Sequence, residues 1–193
     1  MKALKLFGCS LIAASFLSFT SLNKKVIVID AGHGGADFGA QHSGLSEKEI
    51  VLNVAQEIQK FNQNSSEYEI ILTRDSDISS TLRERTDKIN SMNPTAVISL
   101  HLNSSPKLES DTEGHEIYTQ SSEGSKNLAK IISKNLGECK IEEKNLYILK
   151  ESKSPAVLVE LGFMNSTKDR NYLSGKEGQK EVAAKFERIF REL

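Results

Sequence analysis

The chain has 193 residues, 38% of them hydrophobic, enough for one globular domain with a sizeable core. Its formal charge is −1, from 25 Lys and Arg against 26 Asp and Glu, which excludes the basic surface of a nucleic-acid binder. Two cysteines exclude a disulfide scaffold: Cys9 lies in an N-terminal apolar run, and Cys139 alone reads as a small buried or half-buried residue.

Lys2 and Lys5 precede an apolar run from Leu6 to Leu22, the layout of a secretory signal. The run is short for a membrane span, which takes ~20 apolar residues, so residues 1–22 read as a signal peptide, with an N-terminal anchor as the alternative. Leu6-Phe7-Gly8-Cys9 resembles a lipoprotein box, but most of the apolar run follows that Cys. One domain is expected over residues 23–193, exported to the periplasm or cell envelope.

Val26-Ile27-Val28-Ile29 is a β-branched run that predicts a buried strand over 25–30, followed by a glycine loop over 31–45. Ser46-Glu47-Lys48-Glu49 matches a capping box, and Ile50, Val51, Val54, Ile58 and Phe61 then predict a helix over 46–61. Tyr68–Thr73 alternates as a second strand, and Leu82, Arg85 and Ile89 mark the inner face of a helix over 80–92 that stops before Asn93-Pro94. Thr95–Leu100 is a third strand and Gly114–Thr119 a fourth, nearer an edge. Ser122–Leu136 is a helix with Gly137 past its end, Leu146–Leu149 a fifth strand, Pro155–Glu160 a sixth, and Glu177–Leu193 a closing helix. The alternation predicts an α/β domain: a mostly parallel twisted sheet of about six strands with helices on both faces.

Three of these strands end in polar groups that a core would reject: Asp30 with His33, His101, and Glu160. In a parallel sheet those ends share one edge, where open α/β folds place their chemistry. Glu47, in the first turn of its helix, faces the same edge. Two imidazoles and a carboxylate make a hydrolytic zinc set that leaves one position open. His33, Glu47 and His101 are therefore the expected ligands of one Zn2+, and Glu160 the expected catalytic acid/base, its pKa raised by apolar neighbours. Each has a structural rival: a hydrogen-bonded histidine, a carboxylate serving the helix dipole, or Glu160 paired with Arg74 or Arg170. His42 is a weaker candidate at the mouth of the site, and His115 a weaker one without polar company. Gly32-His33-Gly34-Gly35 fits no phosphate-loop spacing. Asn64, Asn103 and Asn165 head formal glycosylation sequons, read as accidental.

Taken in order, Ile29-Asp30-Ala31-Gly32-His33-Gly34-Gly35-Ala36-Asp37-Phe38-Gly39-Ala40, Glu47-Lys48, Leu72-Thr73-Arg74-Asp75, Ser99-Leu100-His101-Leu102-Asn103 and Pro155–Phe163 resemble the type-3 zinc-dependent N-acetylmuramoyl-L-alanine amidases. The resemblance implies hydrolysis of the amide between N-acetylmuramic acid and L-alanine of the stem peptide, in wall remodelling or daughter-cell separation. It implies the same ligands and the same role for Glu160. The substrate is then a peptidoglycan glycopeptide, with room for an activator protein, and the enzyme a monomer that binds no nucleic acid. Members under partner control often carry a site-plugging helix between the second histidine and the last strand. Leu102–Pro155 is short, which predicts a domain without that plug. Many relatives also have an Arg where this chain has Ile141-Glu142-Glu143-Lys144. Two other classes remain open: an inert wall-binding homologue, and another zinc hydrolase such as a carboxypeptidase, which needs a cationic clamp from Arg74 or Arg170.

Overall fold

A strand of four consecutive β-branched residues points apolar groups both ways, so it demands cover on both faces. The computed structural model, which describes residues 24–137 and 139–193, supplies that cover; the signal region 1–22 lies outside the described residues. Strand β1 (Lys25–Ala31) turns Ile27 and Ile29 into the larger apolar cluster and Val28 into the smaller one on the opposite face.

The chain continues through a two-strand hairpin, β2 (Gln41–His42) and β3 (Leu45–Ser46), into helix α1 (Glu47–Asn62). Then come β4 (Tyr68–Leu72), α2 (Leu82–Met92), β5 (Ala96–Asn103), β6 (Glu116–Thr119) and α3 (Glu123–Leu136). β7 (Lys140–Glu143), α4 (Tyr147–Glu151), β8 (Ala156–Phe163), α5 (Thr167–Ser174) and α6 (Lys176–Arg191) complete it. The main sheet has six strands in the order β4-β1-β5-β8-β6-β7. All neighbours run parallel except β8 and β6, so the expected mostly parallel α/β architecture holds. α1, α3, α5 and α6 contribute to the larger cluster, α2 and α4 to the smaller.

Three local expectations are corrected. Leu146–Leu149 is not a strand but the start of α4, where Ile148 and Leu149 pack against Val28, Ile89 and Leu158. An apolar run of that length carries no period that separates strand from helix. The fifth strand in chain order along the sheet edge is instead Lys140–Glu143, whose charges suit an open edge. The capping box at Ser46 does not form: Ser46 Oγ donates to Glu49 Oε2 at 2.7 Å. The first N–H groups of α1 go to the loop instead, Glu47 to Ala40 O at 2.8 Å and Lys48 to Phe38 O at 3.2 Å. A complete capping box stands at Thr81 and Glu84, heading α2, and Leu82 is 54% exposed rather than inward.

The parallel order β1-β5-β8 places the carboxyl ends of those three strands side by side, with His101 and Glu160 as direct neighbours in register.

Candidate metal centre

His33 leaves β1 in the left-handed region, with φ 60°, immediately before a turn closed by reciprocal backbone bonds between Gly34 and Asp37. Such a backbone is costly for a non-glycine residue and persists only where its surroundings impose it. Arg85 does so from α2: its Nη1 donates to Asp30 Oδ1 at 2.9 Å and to Ala31 O at 2.6 Å, and its Nη2 to His33 O. Arg74 grips the same loop through Ala31 O, Gly32 O and Lys48 O, at 3.0, 2.8 and 2.8 Å. Thr73 and Ser99 donate to the two oxygens of Asp30 at 2.6 and 2.7 Å. Asp30 is thus the buried anchor of the loop, and the sequence motif offered no hint that Arg74 and Arg85 serve it.

The His33 ring is aimed by its own turn. Asp37 Oδ2 lies 2.9 Å from Nδ1, which turns Nε2 toward Glu47 Oε1, 2.9 Å away. Glu47 is 3% exposed and held by two backbone donors, Ala40 N–H to Oε2 at 2.9 Å and Leu102 N–H to Oε1 at 3.0 Å. His101, on β5, brings Nδ1 to 2.9 Å from the same Glu47 Oε1. One ligand atom from each of these three residues lies within 4.8 Å of the others, and both histidine side chains keep 21% exposure. Gly32 makes room for this: a Cβ there would stand 2.3 Å from the His101 ring.

The charges show what the cluster wants. Burial opposes ionisation of Glu47, yet the two imidazoles outweigh it and hold the carboxyl well below its usual range. Burial likewise opposes a charged His33, but Glu47 and Asp37 raise it to about 9. A buried carboxylate that draws a proton onto His33 is a site that a divalent cation satisfies instead. Two imidazoles, one carboxylate and an Asp37–His33 support pair fit zinc.

Glu160 stands beside His101 on β8 with Oε2 buried and without a partner among the described residues. Burial is the main cause that raises its pKa to about 7; His101 opposes, and Glu47 and Glu116 add to it. Neither suggested arginine pairs with it: Arg74 serves loop carbonyls, and Arg170 binds Met164 O and Thr167 Oγ1. His42 does not join the site. Its Nδ1 meets Ser43 Oγ and its Nε2 lies 2.9 Å from Leu108 O, tying the hairpin to the 104–115 loop. His115 has polar company after all, Leu161 O at 2.8 Å from Nδ1. The sequon residue Asn165 is structural, with Nδ2 donating to Ser105 and to Lys107 O. Cys139 is half-buried, as expected.

An open cleft of about 560 Å³ begins at His33 and His101. Among the described residues between His101 and β8, 104–115 is irregular, α3 packs into the larger cluster, and the start of α4 lines one side of the cleft.

The profile of the N-acetylmuramoyl-L-alanine amidase family matches residues 27–188. The amidase LytC of Bacillus subtilis is 34% identical over 158 residues, covering 77% of this chain but 31% of LytC. The chain therefore spans under a third of that relative. The catalytic domain of the amidase CwlV from Bacillus (Paenibacillus) polymyxa var. colistinus superposes with a TM-score of 0.81 at 30% identity, covering 87% of this chain and 97% of that one. The CwlD amidase from Clostridioides difficile, solved in complex with the GerS lipoprotein, gives 0.80 at 27%, covering 88% and 98%.

Proposed function

Since the chain belongs to the N-acetylmuramoyl-L-alanine amidase family and is a hydrolase of that class, we propose that it cleaves the bond between N-acetylmuramic acid and L-alanine of the stem peptide with one Zn2+ held by His33, Glu47 and His101. When bound, the ion supplies Lewis-acid polarisation of the scissile carbonyl and acidification of water. The protein's share is orientation and proton transfer. Asp37 and the Ala40 and Leu102 amides keep His33 and Glu47 in place before substrate arrives. Glu160 accepts a proton from the attacking water and delivers it to the leaving nitrogen. A pKa near neutrality suits a group that must do both.

The observation that carries this reading is the Glu160 oxygen, without a partner among the described residues, beside a two-imidazole, one-carboxylate cluster. A carboxypeptidase reading lacks its cationic clamp, because Arg74 and Arg170 are spent on loop carbonyls and Thr167. We place the enzyme outside the cytoplasm, on the strength of the N-terminal pattern and the location of the substrate. An activator protein belongs to the reading because a similar amidase is solved with a lipoprotein partner.

Metal analysis and mass spectrometry of digested wall test it. One zinc per chain and free stem peptides beginning in L-alanine are expected. Glu160→Gln should keep the zinc and lose about 10²–10⁴-fold in kcat. Wild-type turnover by that variant, or peptides shortened from the other end, would sink the assignment.

A further inference from the structure

The cleft does not stop at the metal cluster. It runs on into the gap between the first turn of α2 and the start of α4, over a floor of Ser99 and Leu158. Its two walls carry large apolar side chains turned to solvent: Leu82 is 54% exposed and Tyr147 is 41% exposed. Both line the same cleft as the metal cluster, and a concave site with apolar walls and a few polar groups is where small ligands bind. Leu146 and Ile148 extend the Tyr147 wall, and the Ser79 and Ser80 hydroxyls form a polar rim.

The charges of this arm decide what fits. Arg85 is the one guanidinium or ammonium among the described lining residues, and it is committed: Nε to Ser80 O, Nη1 to Asp30 and Nη2 to His33 O. Glu84 is taken up by the Thr81 cap, and Asp37 by His33 and Gly39. A stem peptide carries free carboxylates, and the arm has no cation left to receive them. A pyranose is neutral, with an apolar face for an aromatic ring and hydroxyls for a polar rim. Tyr147 has two rotatable side-chain bonds, and stacking on it costs little ordering.

We propose that the arm of the cleft between α2 and α4 is the glycan-side subsite, where an N-acetylhexosamine ring stacks on Tyr147 against Leu82. This rests on the amidase reading and orients it: the sugar lies toward α2 and α4, and the stem peptide leaves by the opposite side of His101 and Glu160. Tyr147 is then a positioning residue for substrate and has no part in proton transfer.

The test uses the zinc-loaded full chain and a peptide-free N-acetylglucosamine tetramer, which lacks the bond between N-acetylmuramic acid and L-alanine. Isothermal titration should detect tetramer binding to wild type, weakened about tenfold in Tyr147→Ala and kept in Tyr147→Phe. On wall fragments Tyr147→Ala should raise KM by a similar factor, with the smaller part of its loss in kcat. The Tyr147 side chain is exposed, so these variants should fold as wild type does. A tetramer that does not bind, or binds Tyr147→Ala as tightly, overturns the subsite. So does a free stem peptide that competes for the arm and loses affinity in Tyr147→Ala. Failure of the amidase reading shows separately, as absence of stem-peptide release by wild type.

Discussion

Arg85 reaches from α2 to Asp30 at the end of β1, 2.9 Å away, and both side chains are almost wholly buried. The same guanidinium holds the carbonyls of Ala31 and His33, so one ion pair couples the sheet to the loop that aims the His33 ring. Arg85→Ala leaves the Asp30 charge uncompensated in the interior, which costs about 3–5 kcal/mol. Urea unfolding should show that loss, and zinc affinity should drop with it. Arg85→Lys should not rescue, since an ammonium cannot span Asp30 and two carbonyls in one plane. Rescue by lysine would mean that charge alone, without the fork, holds the loop.

The same pair sets an acid limit on stability. Burial raises the Asp30 pKa, but Arg85, Thr73 and Ser99 outweigh it, so the folded value lies below the ordinary 3.8. A depressed folded pKa gives stability that is present above the unfolded value and lost as pH falls through the folded one. Unfolding free energy should therefore fall with pH below about 4 in the wild type, and by less in Asp30→Asn. Equal penalties for Asp30→Asn at pH 3 and pH 7 would show that the carboxylate charge contributes nothing.

Much of this was legible in the sequence, for identifiable reasons. A β-branched run has one use, and a polar residue ending such a run must sit at a sheet edge, so β1, β5 and β8 with His33, His101 and Glu160 could be placed together. Glu47 was legible because the helix start was. What stayed hidden depends on tertiary partners. The sequence offers Arg74 as a partner for Glu160 or a clamp for a carboxylate, and Arg85 as part of a helical spacing; that both hold loop carbonyls depends on the fold. The Ser46 cap fails because loop carbonyls from Phe38 and Ala40 take its place, which no local pattern announces. Leu146–Leu149 reads as strand in the sequence because four residues are too few to show a helical period, so the cleft wall made by Tyr147 depends on the fold.

Asp37 tests the tuning of His33. Its carboxylate sits 2.9 Å from Nδ1, which leaves Nε2 turned toward Glu47 Oε1. Its side chain is 67% exposed, which screens the charge, so Asp37→Asn should weaken zinc by about tenfold, the low end for such a partner. Competition against a chelator of known affinity measures this. An unchanged dissociation constant would leave Asp37 as a turn former only, through its bond from Gly39 N–H.

Two glycines separate space from conformation. At Gly32 an added Cβ would lie 2.3 Å from His101 Cε1 and 2.4 Å from Nε2, inside any allowed contact. The ring cannot retreat without giving up its place 2.9 Å from Glu47. Gly32→Ala should therefore keep the fold by circular dichroism while zinc falls well below one per chain and wall digestion stops. At Gly44 a Cβ meets nothing within 4 Å, but the backbone is at φ +77°. Gly44→Ala should cost about 1–2 kcal/mol by backbone strain and leave zinc binding as it was. The pair of variants is decisive together. Loss of zinc from Gly44→Ala would mean that hairpin strain reaches Glu47, and retention by Gly32→Ala would mean that His101 does not need its present seat to bind the metal.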